Sequence, residues 1–313
     1  MKRGAMKLRT ALMALVVLTG AGAWGGETHA ISGLVLAVDA AHKSMTVSCN
    51  GVPGYMDAMT MPFDVRDAKA LDGIQPGVTV DFTLVVNGDS SYAENIRVHP
   101  YQNLEQEPLE AGRLAIVSKL ANPAAAAHVL NPQQAVPDFT LTDQAGRRII
   151  FSALKGKVVA LSFAYVRCPN PAYCFRLTNH LGELQKRFAK DLGSDLVLLT
   201  IIIDPEHDQD EAITKYAGLF HADPQTWHFL TGPLPEVQRV SRMFGMEFWS
   251  DEGFLTHSFH TVVIDREGRL FANLEGNQFT SEQLGDLVQT VMVQTVVERP
   301  VASSPRSNPP AAP

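Results

Sequence analysis

Two largely apolar runs, Val158–Tyr165 and Leu196–Ile203, constrain the fold of this chain more than any other feature. Neither alternates apolar with polar residues, so each predicts a strand covered on both faces of a parallel sheet. A helical pattern follows each run: Leu177, Leu181, Leu184 and Phe188 after the first, Ala212–Phe220 after the second. His260–Asp265 and Arg269–Leu274 flank a Glu-Gly turn and predict an antiparallel hairpin, and a closing helix is expected over Ser281–Val297.

A chain of 313 residues is long enough for two domains. Residues 31–101 read as a small all-β unit. Ile31–Val38 alternates, Ser44–Cys49 follows a turn, and Val80–Val86 alternates again. Asn87-Gly88 is a strong turn signal before Tyr92–Val98. Short strands without a convincing helix predict a small closed barrel of the OB type. Residues 102–135 read as a linker, residues 136–297 as the α/β domain, and 298–313, with Pro300, Pro305, Pro309, Pro310 and Pro313, as a disordered tail.

Residues 1–23 predict a signal peptide. Lys2, Arg3, Lys7 and Arg9 precede the apolar Ala11–Thr19, and Ala21-Gly22-Ala23 supplies small residues for cleavage, with Thr28-His29-Ala30 as a second candidate. The expected location is extracytoplasmic, with a membrane anchor as the outcome if the signal is not cleaved. Removing these four cations takes the formal net charge from −7 to −11. An acidic chain without a basic patch argues against nucleic-acid binding.

The chain has three cysteines, Cys49, Cys168 and Cys174, too few for a disulfide framework. Cys168 and Cys174 follow the first buried strand in the segment Cys168-Pro169-Asn170-Pro171-Ala172-Tyr173-Cys174. That placement, in the order β-α-β-α-β-β-α, predicts a thioredoxin-like α/β fold. Asn170 suits an N-cap and Pro171 the first helical position. A helix N-terminus favours thiolate at a nearby cysteine. Six residues of helix would part the two α-carbons by ~9 Å, beyond the ~7 Å limit for a disulfide. The loop before Asn170 must therefore fold back if the two thiols are to meet.

Residues 137–297 resemble the Sco/SenC family of copper proteins. The resemblance rests on Asp138-Phe139-Thr140-Leu141-Thr142-Asp143, Leu154-Lys155-Gly156-Lys157-Val158-Val159, Thr200–Glu206, Trp227–Gly232 and Phe244-Gly245-Met246. It implies that copper is bound by Cys168, Cys174 and His257, since His257-Ser258 through Asp265 matches the run that begins with the family's copper histidine. His260 then falls at an ordinary strand position, and His180, on a helix flank, is expected to be structural or exposed. Two thiolates and an imidazole form a soft site that suits Cu(I) and can hold Cu(II). The family usually has three residues between its cysteines where this chain has five. The chain also has no proline between Pro235 and Pro300, where a thioredoxin would place its cis-proline.

A second soft cluster lies in the first domain. Met59 and Met61 are two apart, so on a strand they share a face; Met56 lies three residues earlier and Cys49 ends the preceding strand. Thioethers select Cu(I), although methionine also fills irregular cores. The segment resembles the CusF-like periplasmic copper-binding domain through Met59-Thr60-Met61. That resemblance implies a second metal site of Cys49, Met56, Met59 and Met61, with Cys49 near the usual histidine and Met56 in place of a tryptophan.

These readings predict an extracytoplasmic copper chaperone. By the family resemblance it would deliver copper to an acceptor protein such as a cytochrome oxidase subunit. A thiol–disulfide oxidoreductase acting on a partner's copper-ligand cysteines, and a copper buffer for resistance, are the alternatives. The linker would tether one copper site to the other at millimolar effective concentration.

Overall fold

The computed structural model describes residues 27–99, 129–168, 174–251 and 254–297. The signal segment, residues 102–128 of the linker and the Pro-rich tail lie outside the described residues.

The first unit is an antiparallel meander of β1 (Glu27–Asp39), β2 (Ser44–Cys49), β3 (Met59–Asp64), β4 (Thr79–Asn87) and β5 (Ser90–Val98), in the order β3-β2-β1-β4-β5. Gly88 makes the β4–β5 turn at φ 57°, a conformation glycine adopts without steric cost. The strand ladders leave the sheet open between β3 and β5, so a closed barrel of the expected OB type is not seen. The end of β3 approaches β5, with a parallel bridge between Val65 and Ala93. Pro62 in β3 has no N–H to give a neighbouring strand, which keeps β3 at the edge. Ile31, Val35, Met45, Val47, Phe63 and Phe82 fill the concave face.

The second unit begins with a short hairpin of β6 (Thr140–Thr142) and β7 (Arg148–Ile150), and its main sheet takes the order β10 (Trp227–Leu230), β9 (Leu196–Ile202), β8 (Val158–Ala164), β13 (His260–Ile264), β14 (Leu270–Glu275). β8 and β9 are buried at every position, as their largely apolar runs require. β10 extends the parallel set, while β13 runs antiparallel to β8 and pairs with β14. With helices α1 (Cys174–Arg187), α2 (Asp210–Leu219), α3 (Leu234–Met243) and α4 (Ser281–Val297), this is the expected thioredoxin-like α/β arrangement. Two buried hydroxyls in the central strands are satisfied internally: Ser162 and Thr200 lie 3.4 Å apart, and Trp227 Nε1 donates to Thr200 Oγ1 at 3.0 Å. An added hairpin, β11 (Phe248–Asp251) with β12 (Phe254–His257), ends at the candidate histidine.

The two units share a seam. Leu34 and Leu36, on the side of β1 opposite Ile31 and Val35, are buried in the large core of the second unit. Residues 130–135, read from sequence as the end of the linker, already bond to that unit. Leu130 N donates to Met243 O and Gln133 N to Leu270 O.

Candidate metal centre

The first buried strand delivers Cys168. After Ala164 the chain turns, and Cys168 N donates to Tyr165 O at 3.3 Å. Cys168 is half-buried against the large core. Two aspartates that follow the neighbouring strand β9 hold this turn. Val166 N donates to Asp208 Oδ2 at 2.6 Å, and Arg167 Nη2 donates to Asp204 Oδ2 at 2.6 Å. Asp204 Oδ1 also lies 2.8 Å from His207 Nδ1. Burial pushes the Asp208 carboxyl up to about 6, against the opposing pull of the Val166 N–H and the Arg167 charge. The sequence reading passed over this clamp. Its signal was the Asp204-Pro205-Glu206-His207-Asp208 run beside a lone Arg167, acids that a buried strand end would have to pair.

Described from Cys174 to Arg187, helix α1 carries the second cysteine at the first of its described residues. Residues 169–173, with the proposed Asn170 cap and Pro171, lie outside the described residues, as does the Cys174 side chain.

His257 is the last residue of β12 and is 8% exposed. Its Nδ1 lies 2.8 Å from Ser258 O. A carbonyl only accepts, so Nδ1 carries the proton and Nε2 the lone pair, the tautomer a metal-binding imidazole needs. The Ser258 backbone is itself fixed, because Ser258 N donates to Glu247 O at 2.9 Å and Glu247 N to Ser258 Oγ at 3.0 Å. Tyr165 brings the two halves together. Its carbonyl receives the Cys168 N–H, its ring stands perpendicular to His257 at 5.6 Å, and its Oη donates to Leu255 O at 3.4 Å.

His260 lies at the start of β13, buried, with Nδ1 3.0 Å from Asn273 Oδ1; burial lowers its pKa. His180 is buried beside Phe279, and burial together with Arg176 lowers its pKa to about 4. It is neutral across the physiological range.

Among the described residues no three His, Cys, Asp or Glu side chains converge as a metal cluster. The donors that are described fit copper by their chemistry: a half-buried thiol, and an imidazole whose second nitrogen is anchored on a backbone carbonyl.

The methionine segment has a different character. Cys49 pairs with Met59 and Val47 with Met61 across β2 and β3, so these side chains share one face. Cys49 is 2% exposed, lies 3.7 Å from Val47 O, and has its thiol pushed up to about 12 by burial. Met59 is exposed, while Met56 and Met61 pack half-buried against the small core. The structure thus places Cys49, Met59 and Met61 on one face, but in three different surroundings.

Residues 128–292 match the SCO1/SenC family model and residues 28–98 match that of the copper binding periplasmic protein CusF. Copper is the metal common to these two matches. A Bacillus subtilis SCO1 protein homolog is 30% identical over 97 residues, covering 31% of this chain and 49% of that protein. The human mitochondrial SCO2 homolog is 26% identical over 162 residues, covering 50% of this chain and 59% of that protein. The match therefore spans about half the length of these relatives. Among solved structures, Bradyrhizobium japonicum ScoI with copper bound is 24% identical, with a TM-score of 0.43, covering 50% of this chain and 99% of that one.

Proposed function

Because the chain belongs to the SCO1/SenC family, we propose that it is an exported copper chaperone whose cargo is held by Cys168, Cys174 and His257 and passed to an acceptor protein. Tyr165 carries this reading: one residue binds the cysteine turn through its backbone and contacts the histidine hairpin through its ring. Cys168 Sγ and His257 Nε2 would hold the ion from two elements, with Cys174 supplying the second thiolate at the head of α1. The clamp of Asp204 and Asp208 keeps the Cys168 turn in place while the acceptor's donors replace these ligands one at a time. By the family resemblance, the acceptor is a copper centre of a respiratory oxidase. The match of residues 28–98 to a periplasmic copper protein supports an extracytoplasmic location. No helix among the described residues is long and apolar enough to cross a membrane.

One observation favours a thiol–disulfide role at the same residues. Cys168 lines a cleft of about 370 Å³ with Val166, Phe175, Tyr216 and Leu219, whose apolar walls give a partner's cysteine-bearing segment access. Mixing the copper-loaded, reduced chain with an acceptor fragment carrying an oxidised copper-ligand dithiol separates the two. Copper should move only after that dithiol is reduced by another agent if the chain is a chaperone. Reduction of the dithiol by the copper-free chain at equal rate would establish the oxidoreductase instead.

A further inference from the structure

The two candidate copper regions are joined by a polar clasp at the seam between units. Thr60, the middle residue of the Met-Thr-Met segment, donates to Asp286 Oδ2 at 2.8 Å, and Ser48 on the adjacent strand donates to the same oxygen at 2.8 Å. The other oxygen of Asp286 accepts from Arg187 Nη2 at 2.8 Å, and Arg187 Nη1 donates to Glu282 O at 3.1 Å. Gln283, one turn earlier on α4, donates to Ser48 O at 3.1 Å and to Asn50 Oδ1 at 3.2 Å. The guanidinium reaches this position because residue 285 is glycine; a methyl group there would collide with it. A glycine inside a helix is unfavourable, so its presence marks a close approach.

We propose that Asp286 is an interdomain latch that seats the Met-Thr-Met strand on α4 with its thioether face turned away, so that the two copper sites do not exchange metal directly. Thr60 points at α4, hence Met59 and Met61 project from the opposite face of β3. Arg187 and Cys174 stand at opposite ends of α1, thirteen steps apart, on the order of 20 Å. A strand held at the Arg187 end cannot present its thioethers to thiols at the other end. Exchange within one chain requires the latch to open, and otherwise passes through other molecules. The latch stands on the hydrogen bonds alone, whereas the copper consequence rests on the function proposed above.

Two measurements on the full mature chain test this. Backbone 15N relaxation without metal should give residues 27–99 and 129–297 one rotational correlation time. In Asp286→Ala and in Gly285→Ala, the amides of β2 and β3 should gain motional amplitude while Leu34 and Leu36 keep β1 docked on the second unit. Separate tumbling in the wild type, or unchanged order parameters across β2 and β3 in both variants, overturns the latch. For the consequence, the chain with a closed Cys168–Cys174 disulfide is given less than one equivalent of Cu(I), then reduced. The rise of thiolate–copper absorption should be proportional to protein concentration in the wild type and independent of it in Asp286→Ala. Concentration-independent transfer in the wild type contradicts the proposal. Failure of the disulfide-closed chain to take up copper refutes a metal role for the first unit and leaves the relaxation result to decide the latch.

Discussion

Cys49 ends strand β2 and Cys168 lies just beyond strand β8, yet the fold gives them opposite chemistry. Cys49 faces the small core of the first unit, 2% exposed, with its thiol pushed up to about 12 by burial. Cys168 sits one turn beyond its strand, half-buried, on a segment held by two carboxylates and facing a cleft. A thiolate must form before copper can be bound, so burial makes a ligand role costlier for Cys49 than for Cys168. In the first unit the thioethers, which need no deprotonation, are the donors left at or near the surface.

The comparison can be broken most severely by oxidation. Closing the Cys168–Cys174 pair should lower copper affinity at the second unit at least a hundredfold, roughly 2.7 kcal/mol, with recovery on adding reductant. Copper competition titrations of the oxidised and reduced chain check this, and an affinity indifferent to thiol state would equate the two cysteine regions.

Next in size is Asp208. Its folded carboxyl holds a proton to about pH 6, whereas the unfolded group releases it near 3.8. The folded state therefore binds more protons between these values, and stability falls as pH rises through that window. Asp208→Asn keeps an acceptor for Val166 N but cannot titrate. It should erase this slope, a change of up to roughly 2 kcal/mol, in denaturant melts at pH 4 and pH 7.

Cys49→Ala removes a buried sulfur and should cost roughly 1–2 kcal/mol while leaving copper binding at the second unit within twofold. Calorimetric melting beside a copper titration reads both quantities. A large loss of copper with unchanged stability would make Cys49 a ligand rather than core. Smallest is the pair Met59→Leu and Met61→Leu, nearly volume-conserving changes expected to cost less than about 1.5 kcal/mol each. Cu(I) uptake by the disulfide-closed chain should nonetheless fall, and unchanged uptake would assign both residues to packing.

The architecture was legible where pattern alone decides it. The largely apolar, non-alternating runs at Val158 and Leu196 pointed to doubly covered strands, and the His260–Leu274 hairpin followed from its turn. Barrel closure was not legible, because strand pairing between β3 and β5 depends on which edge Pro62 faces. The docking of the first unit was also missed. Leu34 and Leu36 read as one side of an alternating strand, and nothing local says that a second core receives them. At the site, Cys168 and Cys174 stood out by spacing, whereas His257 was reachable only through family resemblance, since the hairpin that carries it lies about ninety residues away. Asp208 escaped because its acidic run after β9 shows that charges must be paired there but not that one carboxylate takes the Val166 N–H.

The measurement that bears most directly on the central claim is the spectrum of the chain loaded with one equivalent of Cu(II). Sulfur-to-copper charge transfer and nitrogen hyperfine structure should appear together in the wild type. The charge-transfer band should be lost in Cys168→Ser and in Cys174→Ser, and the nitrogen hyperfine structure in His257→Ala, with the folds intact. Wild-type spectra in all three variants would contradict a copper centre built from these residues.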